Sequence, residues 1–532
     1  MTSNTKLREF HAARWGEPVL MEMSRAGRRG TIFPEAEPGV SAAVGDADGL
    51  IPAEMRRKEA PALPEMSEPD VLRHYVHLSQ ETMGMVGISL FGTCTMKYNP
   101  RVNEIITSLP QVAEVHPRQD EDALQGVLEI IYGMDKILRE VSGMDQFVFQ
   151  AGGGADASYT HACVTRAYHA SRGELEKRNE IITTIQTHPC NPATAATAGF
   201  KVINLMLDEK GYPSLDALKA AVSDRTAALM VVNPDDMGIY NPEIKEWIKI
   251  VHDAGGLCFY DHANFNGVMG KIRARELGFD ACMYMLHKTF GAPKGGGGPA
   301  VGAYGCSEEL AKFVPAPVVT FDGEKYHLDF DRPDSVGKVR EFWGNVPQVV
   351  KAYSWSRCMG AEGIDEGSSL SVLANNYMEK RIMKLRGITK AHPHLTQRRM
   401  EMTRYSLEKL REDTGVGCLD VQTRMTDFGI DAPWLSHEPL LIPEPLTPEA
   451  GELWSKEDID YWCDALEQVV DEAYTNPELV KTAPHNQAIH KINAEALDDP
   501  EQWAMTWRAY QRKQKARKKG KKAATTARQA AS

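Results

Sequence analysis

A lysine and an aspartate stand at the ends of two neighbouring predicted strands. Asp261 ends the apolar run LCFYD (257–261), and His287 alone separates Lys288 from the apolar run ACMYML (281–286). The carboxyl ends of parallel strands open on one edge of a sheet, so both side chains should face one cleft. Pyridoxal phosphate (PLP) needs such a pair, because a lysine amine holds it as a Schiff base while a carboxylate keeps its pyridine nitrogen protonated. The same spacing also fits an ordinary pair of charged surface residues.

Two glycine-rich segments and a histidine offer further cofactor contacts. The segment AGGGADAS (151–158) precedes a helical run, and GGGGP (295–299) lies shortly after Lys288. Backbone amides at a helix N-terminus bind phosphate, which favours the first segment as the phosphate site. Close helix packing at the first segment and a tight or flexible turn at the second explain the glycines equally well. His188 follows the strand-like run EIITTI (180–185), where its imidazole can stack on a pyridine ring or be solvated.

Alternating helical and β-type runs between residues 86 and 325 predict the sheet that positions these side chains. The run LDALKAAVSD (215–224) is predicted to be a helix, TAALMVV (226–232) a buried strand and PEIKEWIKIVHDAGG (242–256) a helix. In the last run, apolar residues recur at i, i+3, i+4 and i+7 from Ile244. This order predicts an α/β domain with a mostly parallel sheet covered by helices.

The chain changes pattern on both sides of this region. Residues 1–85 are rich in Pro, Glu and Arg and are expected to form an extended arm. Residues 326–505 are expected to form a smaller α+β domain. The elements predicted in it are helices near 346–358, 371–386 and 397–412 and a β-like piece, PLLIP (439–443).

The formal net charge of −12 conceals a strongly basic C-terminus. Residues 511–522 hold eight Lys or Arg and no acid, so residues 506–532 are expected to form a disordered, solvated tail. The tail could also contact an acidic partner. Since no aromatic residues are interleaved there to stack on bases, nucleic acid is not the expected partner.

Composition and cysteine spacing exclude several classes of protein. With 42% apolar and 25% charged residues the chain fits a soluble globular protein, and no uninterrupted apolar stretch approaches the length that spans a bilayer. The N-terminal residues lack the apolar run of a secretory signal, which predicts a cytoplasmic protein. The nine cysteines are spread singly without a CxxC pair, so neither a disulfide framework nor a metal site is expected.

Six segments together resemble one family. They are FGTCTMKYNPRVNE (91–104), NPATAATAGF (191–200), FYDHANFNGVMG (259–270), LHKTFGAPKGGGGP (286–299), DRPDSVGKVR (331–340) and ELVKTAPHN (478–486). They are similar to the P-protein of glycine dehydrogenase (decarboxylating), specifically its C-terminal half, which many bacteria make as a separate subunit 2. The likeness covers residues 20–490 in unbroken order. It implies a PLP-dependent transferase fold of type I, with residues 86–325 as the large PLP-binding domain.

The resemblance also implies a site, an activity and partners. Its site residues correspond here to the PLP-bearing Lys288, the pyridinium partner Asp261, Ala263 behind the ring, the stacking His188, and Gly154 with Ala155 in the phosphate cup. Lys288 and His188 are the expected catalytic residues. The implied reaction is decarboxylation of glycine with transfer of the aminomethyl group to a lipoylated carrier, the H-protein. The implied assembly is a heterotetramer with a first P-protein-like subunit.

Several site segments depart from the family pattern. The departures are Asp156 and Ser158 in the first glycine-rich loop, Asp235 and Asp236 in NPDDMG, His262 beside Asp261, Lys294 before the second glycine run, and the stretch 393–410 in place of an HEFVLS motif. Lys294 and Asp156 are expected to pair and to reshape the carboxylate pocket. Three interpretations therefore stay open: glycine decarboxylation, a related PLP enzyme that acts on another amino acid or amine, and a non-catalytic partner subunit that retains the fold.

Overall fold

The chain divides into two compact units. Unit 1 consists of Met1–Arg8 and Ile88–Thr482, and unit 2 of Glu9–Gly87 and Ala483–Ser532. The predicted boundary between residues 325 and 326 falls inside unit 1 and stays a prediction. The computed structural model describes residues 6–30, 34–45, 47–59, 61–83, 87–90, 99–293, 300–431, 435–437, 439–491, 499 and 503–530, with only the backbone for 47–48 and 520–530.

Helices and strands alternate through most of unit 1, whereas the first two helices and the last helix given below lie in unit 2. In chain order the helices are α1 (Pro38–Val44), α2 (Glu68–Gln80), α3 (Arg101–Thr107), α4 (Pro110–Ala113), α5 (Glu121–Ser142), α6 (Gly154–Ser171), α7 (Cys190–Thr197), α8 (Leu215–Ala221), α9 (Ile244–Asp253), α10 (Ala274–Leu277), α11 (Glu308–Ala311), α12 (Val346–Ile382), α13 (Glu408–Thr414), α14 (Cys418–Met425), α15 (Lys456–Thr475), α16 (Pro477–Lys481) and α17 (Trp507–Ala530). The strands are β1 (Gln146–Val148), β2 (Glu180–Thr184), β3 (Lys201–Leu205), β4 (Thr226–Val232), β5 (Leu257–His262), β6 (Ala281–Met285), β7 (Gly302–Cys306), β8 (Val318–Phe321), β9 (Tyr326–Asp329), β10 (Thr389–Lys390), β11 (Tyr405–Ser406) and β12 (Pro445–Leu446).

Seven of these strands form one mixed sheet in the order β1–β7–β6–β5–β4–β2–β3. The pairs among β3, β2, β4, β5 and β6 are parallel, whereas β7 is antiparallel to both β6 and β1. Leu229 and Val231 of β4 pack in a core with α5 and α9, while Ala228 and Met230 pack in another with α6 and α7. Helices therefore cover both faces of the sheet, which confirms the predicted α/β fold.

Helix α9 shows how an amphipathic pattern sets the position of a strand. Its residues Ile244, Trp247, Ile248 and Val251 are all buried, as their helical spacing predicts. The chain then turns at Gly255, whose φ of +84° is one that L side chains rarely adopt. Strand β5 starts directly afterwards, and its far end carries Asp261.

A second core follows the sheet within unit 1. It is built from α13 to α16, the end of α12 and the antiparallel three-stranded sheet β10–β11–β12. Trp462, Leu466 and Val469 of α15 are fully buried in it. This part of the chain supplies Met402 and His437 to the site described below.

The helix predicted for residues 397–412 is wrong over residues 397–407. Residues 397–404 form an irregular segment, and α13 begins only at Glu408. Two side chains of α12 bind the backbone of this segment. Asn375 Nδ2 donates to Met400 O at 2.7 Å, and Asn376 Nδ2 donates to Arg399 O at 2.8 Å. Because tertiary partners take these carbonyls, helical periodicity in the sequence does not decide the local structure.

Two further predictions concern the C-terminal half of unit 1. The two helices predicted at 346–358 and 371–386 are present as the two parts of α12, which are separated by a kink at Gly360 (φ 63°, ψ −178°), although the second part begins before residue 371 and ends at Ile382. The β-like piece at 439–443 is not a strand, because strand β12 begins at Pro445.

Unit 2 contains the N-terminal segment and the basic C-terminus. In the N-terminal segment the Glu17 carboxylate contacts the ring nitrogens of His74 and His77 at 2.7 and 2.8 Å. The C-terminus is the helix α17, where a disordered tail was expected. The Lys, Arg, Gln and Ala residues of α17 have high helix propensity, which accounts for the difference. Among the described residues, no helix is long and apolar enough to cross a membrane.

Candidate active site

A cavity opens at the carboxyl edge of strands β4, β5 and β6. Its walls come from the loops after these strands, the loop after β2 and two segments near the second core. The lining residues are Gln186, His188, Val232, Pro234, Asp235, Asp236, Asp261, Ala263, Asn264, Lys288, Met402 and His437. The fold thus brings four of the six predicted site residues, Lys288, Asp261, Ala263 and His188, to one cavity.

Asp261 is the buried acid of this cavity, with a relative exposure of 1%. Its Oδ1 accepts the backbone N–H of Ala263 at 2.9 Å, and its Oδ2 accepts Asn191 Nδ2 at 2.7 Å. Burial raises the pKa of Asp261, whereas the amides of Ala263 and Asn191 and the charge of Lys288 oppose that shift. The carboxylate is therefore held in a fixed orientation without a full counter-charge from the protein.

The position of Asn191 depends on a residue that departs from the family pattern. Ser158, from the first turns of α6, donates its hydroxyl to Asn191 Oδ1 at 2.5 Å. Asn191 can then present only its NH₂ group to Asp261. Ser158, Asn191 and Asp261 form a buried chain of hydrogen bonds that fixes the acid from behind.

His188 lies on the cavity as a neutral imidazole. Its Nδ1 accepts the backbone N–H of Cys190 at 3.0 Å, which places the proton on Nε2. Burial, followed by the effects of His437 and Lys288, lowers the pKa of His188 to about 3. The ring of His437 stands nearly perpendicular to that of His188, with the centroids 4.3 Å apart. His188 is thus a fixed, uncharged aromatic surface.

Two acids on the loop after β4 form another wall of the cavity. Asp235 Oδ1 accepts the backbone amides of Met237 and Ile239 at 2.9 and 2.8 Å, and Oδ2 accepts Gln186 Nε2 at 2.7 Å. Burial, followed by the charge of Asp236, raises the pKa of Asp235 to about 7. This loop therefore carries a carboxyl that titrates near neutrality.

The second acid of that loop belongs to an ion pair in which the arginine is buried and the acid is half-buried. Asp236 Oδ2 accepts Arg404 Nη2 at 2.6 Å, and Arg404 Nε donates to the Thr447 hydroxyl at 3.0 Å. Arg404 is only 1% exposed. The segment near residue 400 therefore contributes a cation that neutralises Asp236, in addition to the cavity-lining Met402.

The structure points His262 away from the cavity. Successive side chains of a strand face opposite sides of the sheet, so His262 and Asp261 diverge. Its ring lies 3.6 Å from Tyr260 and stacks 5.5 Å from Tyr284, by centroid distances. Burial lowers the pKa of His262 to about 3. The expectation that His262 stands beside the pyridinium carboxylate is therefore corrected.

Gly154 and Ala155 occupy the first turn of α6 and are not among the residues that line the cavity. A Cβ built on Gly154 would lie 3.5 Å from the sulfur of Met285, so this helix start adjoins the end of β6. Asp156 Oδ2 accepts the backbone N–H of Gly152 at 3.0 Å and lies 3.3 Å from Arg340 Nη1. The role of this turn as a phosphate cup stays a prediction.

Some predicted contacts lie outside the described residues. Lys294 and the glycines of 295–299 are among them, and so are residues 91–98 of the first family-like segment. The expected pair between Lys294 and Asp156 is therefore not described, and the basic partner that the structure gives Asp156 is Arg340.

Sequence reasoning missed several residues of the cavity. Asn191 stood inside a segment quoted for its family likeness, and its place just after His188 on a loop was the available signal. Gln186 and Asn264 lie close to predicted residues in the sequence, but nothing in their own pattern distinguishes them from ordinary polar positions. His437 and Met402 reach the cavity from another part of the fold, and no local pattern marked them.

The fold and the site together define the class of protein. Residues 141–415 match the family model for class-V aminotransferases. A solved glycine decarboxylase (P-protein) of the glycine cleavage system, in inhibitor-bound form, superposes with a TM-score of 0.69 over 82% of this chain and all of that one, at 18% identity. A NifS-like protein superposes with a TM-score of 0.54 at 17% identity. The chain is a PLP-dependent enzyme with the aminotransferase class-V fold.

Curated relatives identify the family more closely. A probable glycine dehydrogenase (decarboxylating) subunit 2 of Pyrococcus abyssi is 43% identical over 94% of this chain and 98% of its own length. The protein of the same description from Caldanaerobacter subterraneus subsp. tengcongensis is 41% identical over 89% of this chain and 96% of its own length. The chain belongs to the glycine dehydrogenase (decarboxylating) subunit 2 family.

The residues on the cavity suit PLP. A pyridinium N–H beside Asp261 would supply the counter-charge that this buried carboxylate lacks. Lys288, only 7% exposed, offers its amine to the same cavity, and the neutral ring of His188 offers a flat surface. The cavity thus holds an amine for the aldehyde of PLP, a carboxylate for its pyridine nitrogen and an aromatic ring for one face of the pyridine.

Proposed function

We propose that this chain is the cofactor-bearing subunit of a two-subunit glycine decarboxylase. It would release carbon dioxide from glycine and pass the aminomethyl group to a lipoylated carrier protein. The observation that carries the proposal is the convergence of Lys288, Asp261 and His188 on one cavity in a chain of this family. These residues also argue against a non-catalytic subunit, since such a subunit needs none of them.

Lys288 is the residue proposed to hold the cofactor covalently. It follows β6 directly, and its backbone N–H donates to Met285 O at 3.0 Å, which fixes the turn that carries it. When bound, PLP accepts the electron pair that stays behind as carbon dioxide leaves. Lys288 is buried and lines the cavity, so its amine is available to a molecule that binds there.

Asp261 and His188 are proposed to set the position and charge of the pyridine ring. The carboxylate of Asp261 would keep a proton on the ring nitrogen, because a buried carboxylate is stabilised most by a cationic donor. His188 would stack on one face, and Ala263, being small, would allow the ring close to β5 on the other. Gly154 and Ala155 are proposed to offer backbone N–H groups at the start of α6 to the phosphate.

The proposed partners follow from the subunit 2 relationship. We propose a first P-protein-like subunit in a heterotetramer with this chain, and the lipoyl carrier H-protein as acceptor of the aminomethyl group. We also propose that the enzyme acts in the cytoplasm.

The test is carbon dioxide exchange. The purified chain is mixed with a candidate first subunit, PLP and a lipoylated carrier protein, and incorporation of labelled carbon dioxide into the carboxyl group of glycine is measured. We expect exchange that requires both subunits and is lost in Lys288→Ala, and most of it lost in Asp261→Asn. A folded, cofactor-loaded complex that exchanges no label would contradict the glycine assignment.

One observation favours a second candidate, the same chemistry on a different amino acid or amine. Asp235 lines the cavity beside Asp236, which Arg404 already neutralises, and a carboxyl group at position 235 favours a substrate with an additional cationic group. Changes in the visible absorption of the bound cofactor on addition of each amino acid discriminate between the two. If glycine leaves the spectrum unchanged while a basic amino acid shifts it, the second candidate holds.

A further inference from the structure

Four polar side chains form a buried cluster behind the wall of the cofactor cavity. They are Asn264, Asn266, Glu401 and Glu449, with exposures of 8%, 1%, 1% and 4%. Asn264 Nδ2 lies 3.4 and 3.5 Å from the two Glu449 carboxylate oxygens, and Asn266 Nδ2 donates to Glu449 Oε1 at 3.0 Å. Both amide NH₂ groups are therefore directed at one carboxylate.

Glu401 lies beside the segment that carries the two asparagines. A Cβ built on Gly267 would lie 2.0 Å from Glu401 Oε2, so the carboxylate rests on the Gly267 backbone, next to Asn266. Glycine at position 267 is what makes room for this carboxylate. The two glutamates thus enter the cluster from different parts of the chain, and each meets the segment that follows β5.

Three acceptor oxygens of this cluster lack a hydrogen-bond donor among the residues that the structure describes. Glu401 Oε1, Glu401 Oε2 and Asn266 Oδ1 are buried, and no described residue hydrogen-bonds to any of them. Buried polar atoms nearly always have a partner, and an unpaired buried carboxylate is especially costly. Three such oxygens in one cluster indicate a missing positive group.

A proton satisfies this arrangement poorly. Burial, followed by the charges of Glu449 and Asp235, raises the pKa of Glu401 well above its usual value. One proton on Glu401 can be shared between at most two of these three oxygens, so the third would still lack a donor among the described residues. A metal ion can contact several oxygens at once.

We propose that Glu401, Glu449 and Asn266 bind a hard metal cation of the alkali or alkaline-earth class. The available ligand atoms are all carboxylate or amide oxygens, which these ions prefer over softer metals. Cysteine spacing predicts no metal site, and this cluster uses neither cysteine nor histidine. The inference does not depend on which substrate the enzyme uses.

The ion would act on the active site through Asn264. Asn264 lines the cofactor cavity, its Nδ2 points to Glu449, and its Oδ1 accepts the Asn266 backbone N–H at 3.1 Å. An ion that fixes Glu449 and Asn266 therefore fixes Asn264, which makes Asn264 a positioning residue. Occupancy should change the environment of the bound cofactor as well as the stability of the fold.

The test compares ions at constant ionic strength. The melting temperature of the full chain is measured in chloride salts of K⁺, Na⁺, Mg²⁺ or Ca²⁺, with choline chloride as reference, and the cofactor spectrum is recorded in each. At least one ion should raise the melting temperature by about 2 °C or more over choline, because binding to the native state stabilises it. Glu401→Gln should lose that difference, whereas Glu472→Gln, a buried glutamate of the second core, should keep it.

Three results would overturn the proposal. They are no ion-specific rise over choline in the wild type, an unchanged ion response in Glu401→Gln, or stabilisation by low pH that no ion reproduces. The last would show that Glu401, which faces Glu449, Asp235 and Tyr260, binds a proton instead. If Glu401→Gln fails to fold, calorimetric titration of the wild type with the stabilising ion decides, since the absence of about one saturable site per chain would refute the proposal.

Discussion

Asn191 Nδ2 donates to Asp261 Oδ2 over 2.7 Å, and this contact links the start of α7 to the end of β5. Replacement of Asn191 by Ala would leave Asp261 buried with one oxygen unpartnered, so the pKa of Asp261 should rise further. We expect the dissociation constant for PLP to increase by about tenfold or more, as for other groups that orient a ligand-binding side chain. Absorbance titration measures it.

Ser158→Ala should have the same effect in weaker form, because Ser158 acts only by holding Asn191. Thr197→Ala serves as the control, because Thr197 is exposed and lies on α7, the helix that carries Asn191. Equal PLP affinities in the Asn191 and Thr197 variants would show that Asp261 needs no support from α7.

Lys288→Ala should yield a folded protein without the visible absorption of lysine-bound PLP. In the wild type, borohydride should fix the cofactor irreversibly to Lys288, which mass spectrometry of the digested chain locates. A circular dichroism spectrum equal to that of the wild type controls for folding. An unchanged absorption spectrum in Lys288→Ala would show that Lys288 is not the residue that binds PLP covalently.

The stability of the fold should fall as pH rises towards neutrality, in part because of Asp235. Its pKa is raised from 3.8 to about 7, so between these values the folded state keeps a proton that the unfolded chain has released. Native protein therefore binds more protons than unfolded protein in this window, and its free energy of unfolding decreases as pH increases, levelling off above about 7. Asp235→Asn should reduce this decrease.

The measurement for Asp235 is the melting temperature of wild type and variant at pH 5 and pH 8. The advantage of the variant should be larger at pH 8. Asp253→Asn, on the exposed surface at the end of α9, should follow the wild type at both values. If the melting temperatures of wild type and Asp235→Asn change by the same amount between pH 5 and pH 8, the pH dependence belongs to other groups.

Gly238→Ala should disrupt the wall of the cavity. Gly238 has a φ of +76°, and a Cβ there would lie 1.9 Å from the carbonyl oxygen of Met402, a cavity residue. The matched control is Gly337→Ala, since Gly337 has a φ of +88° but nothing within 4 Å of its Cβ position.

Gly337→Ala, the control, should lose about 1–2 kcal/mol of unfolding free energy, because an L side chain at a positive φ is unfavourable. The variant at Gly238 should lose clearly more in thermal stability and also bind PLP more weakly. If both variants lose the same stability, the contact between Gly238 and Met402 does not constrain the segment.

Deletion of residues 508–532 should leave unit 1 intact. One contact from α17 to the rest of unit 2 is a long hydrogen bond of 3.3 Å between the Tyr510 hydroxyl and Glu22. The melting temperature should change by less than about 1 °C, and the cofactor absorption should stay the same. A large drop in melting temperature would show that the helix is packed.

Local patterns were enough to predict the part of the site that stands at strand ends. Asp261 and Lys288 follow uninterrupted apolar runs, and parallel strands place such residues on one edge whatever the rest of the fold does. The strands β4, β5 and β6 themselves were predicted within one residue at either end, because their burial on both faces leaves a continuous apolar signature.

The remaining wall of the cavity depends on tertiary contacts that no local pattern encodes. Residues 397–404 have a helical pattern yet are irregular, because Asn375 and Asn376 take their carbonyl groups. His437 meets His188 only after the second core has formed. Asp156 pairs with Arg340, which is distant in sequence, whereas the sequence predicted Lys294 as its partner.

The antiparallel placement of β7 has a consequence for how the chain is made. Strand β1 is the first strand of the large sheet to leave the ribosome, yet its partner is β7, with Phe147 opposite Gly305. A side chain at 305 would strike the Phe147 ring, so no earlier strand with a larger residue there could substitute. At a synthesis rate of about 5–20 residues per second, β1 waits roughly 8 to 30 seconds for this strand. Throughout that interval the growing polypeptide lacks the partner of β1, and unpaired strand edges of this kind promote aggregation of nascent chains.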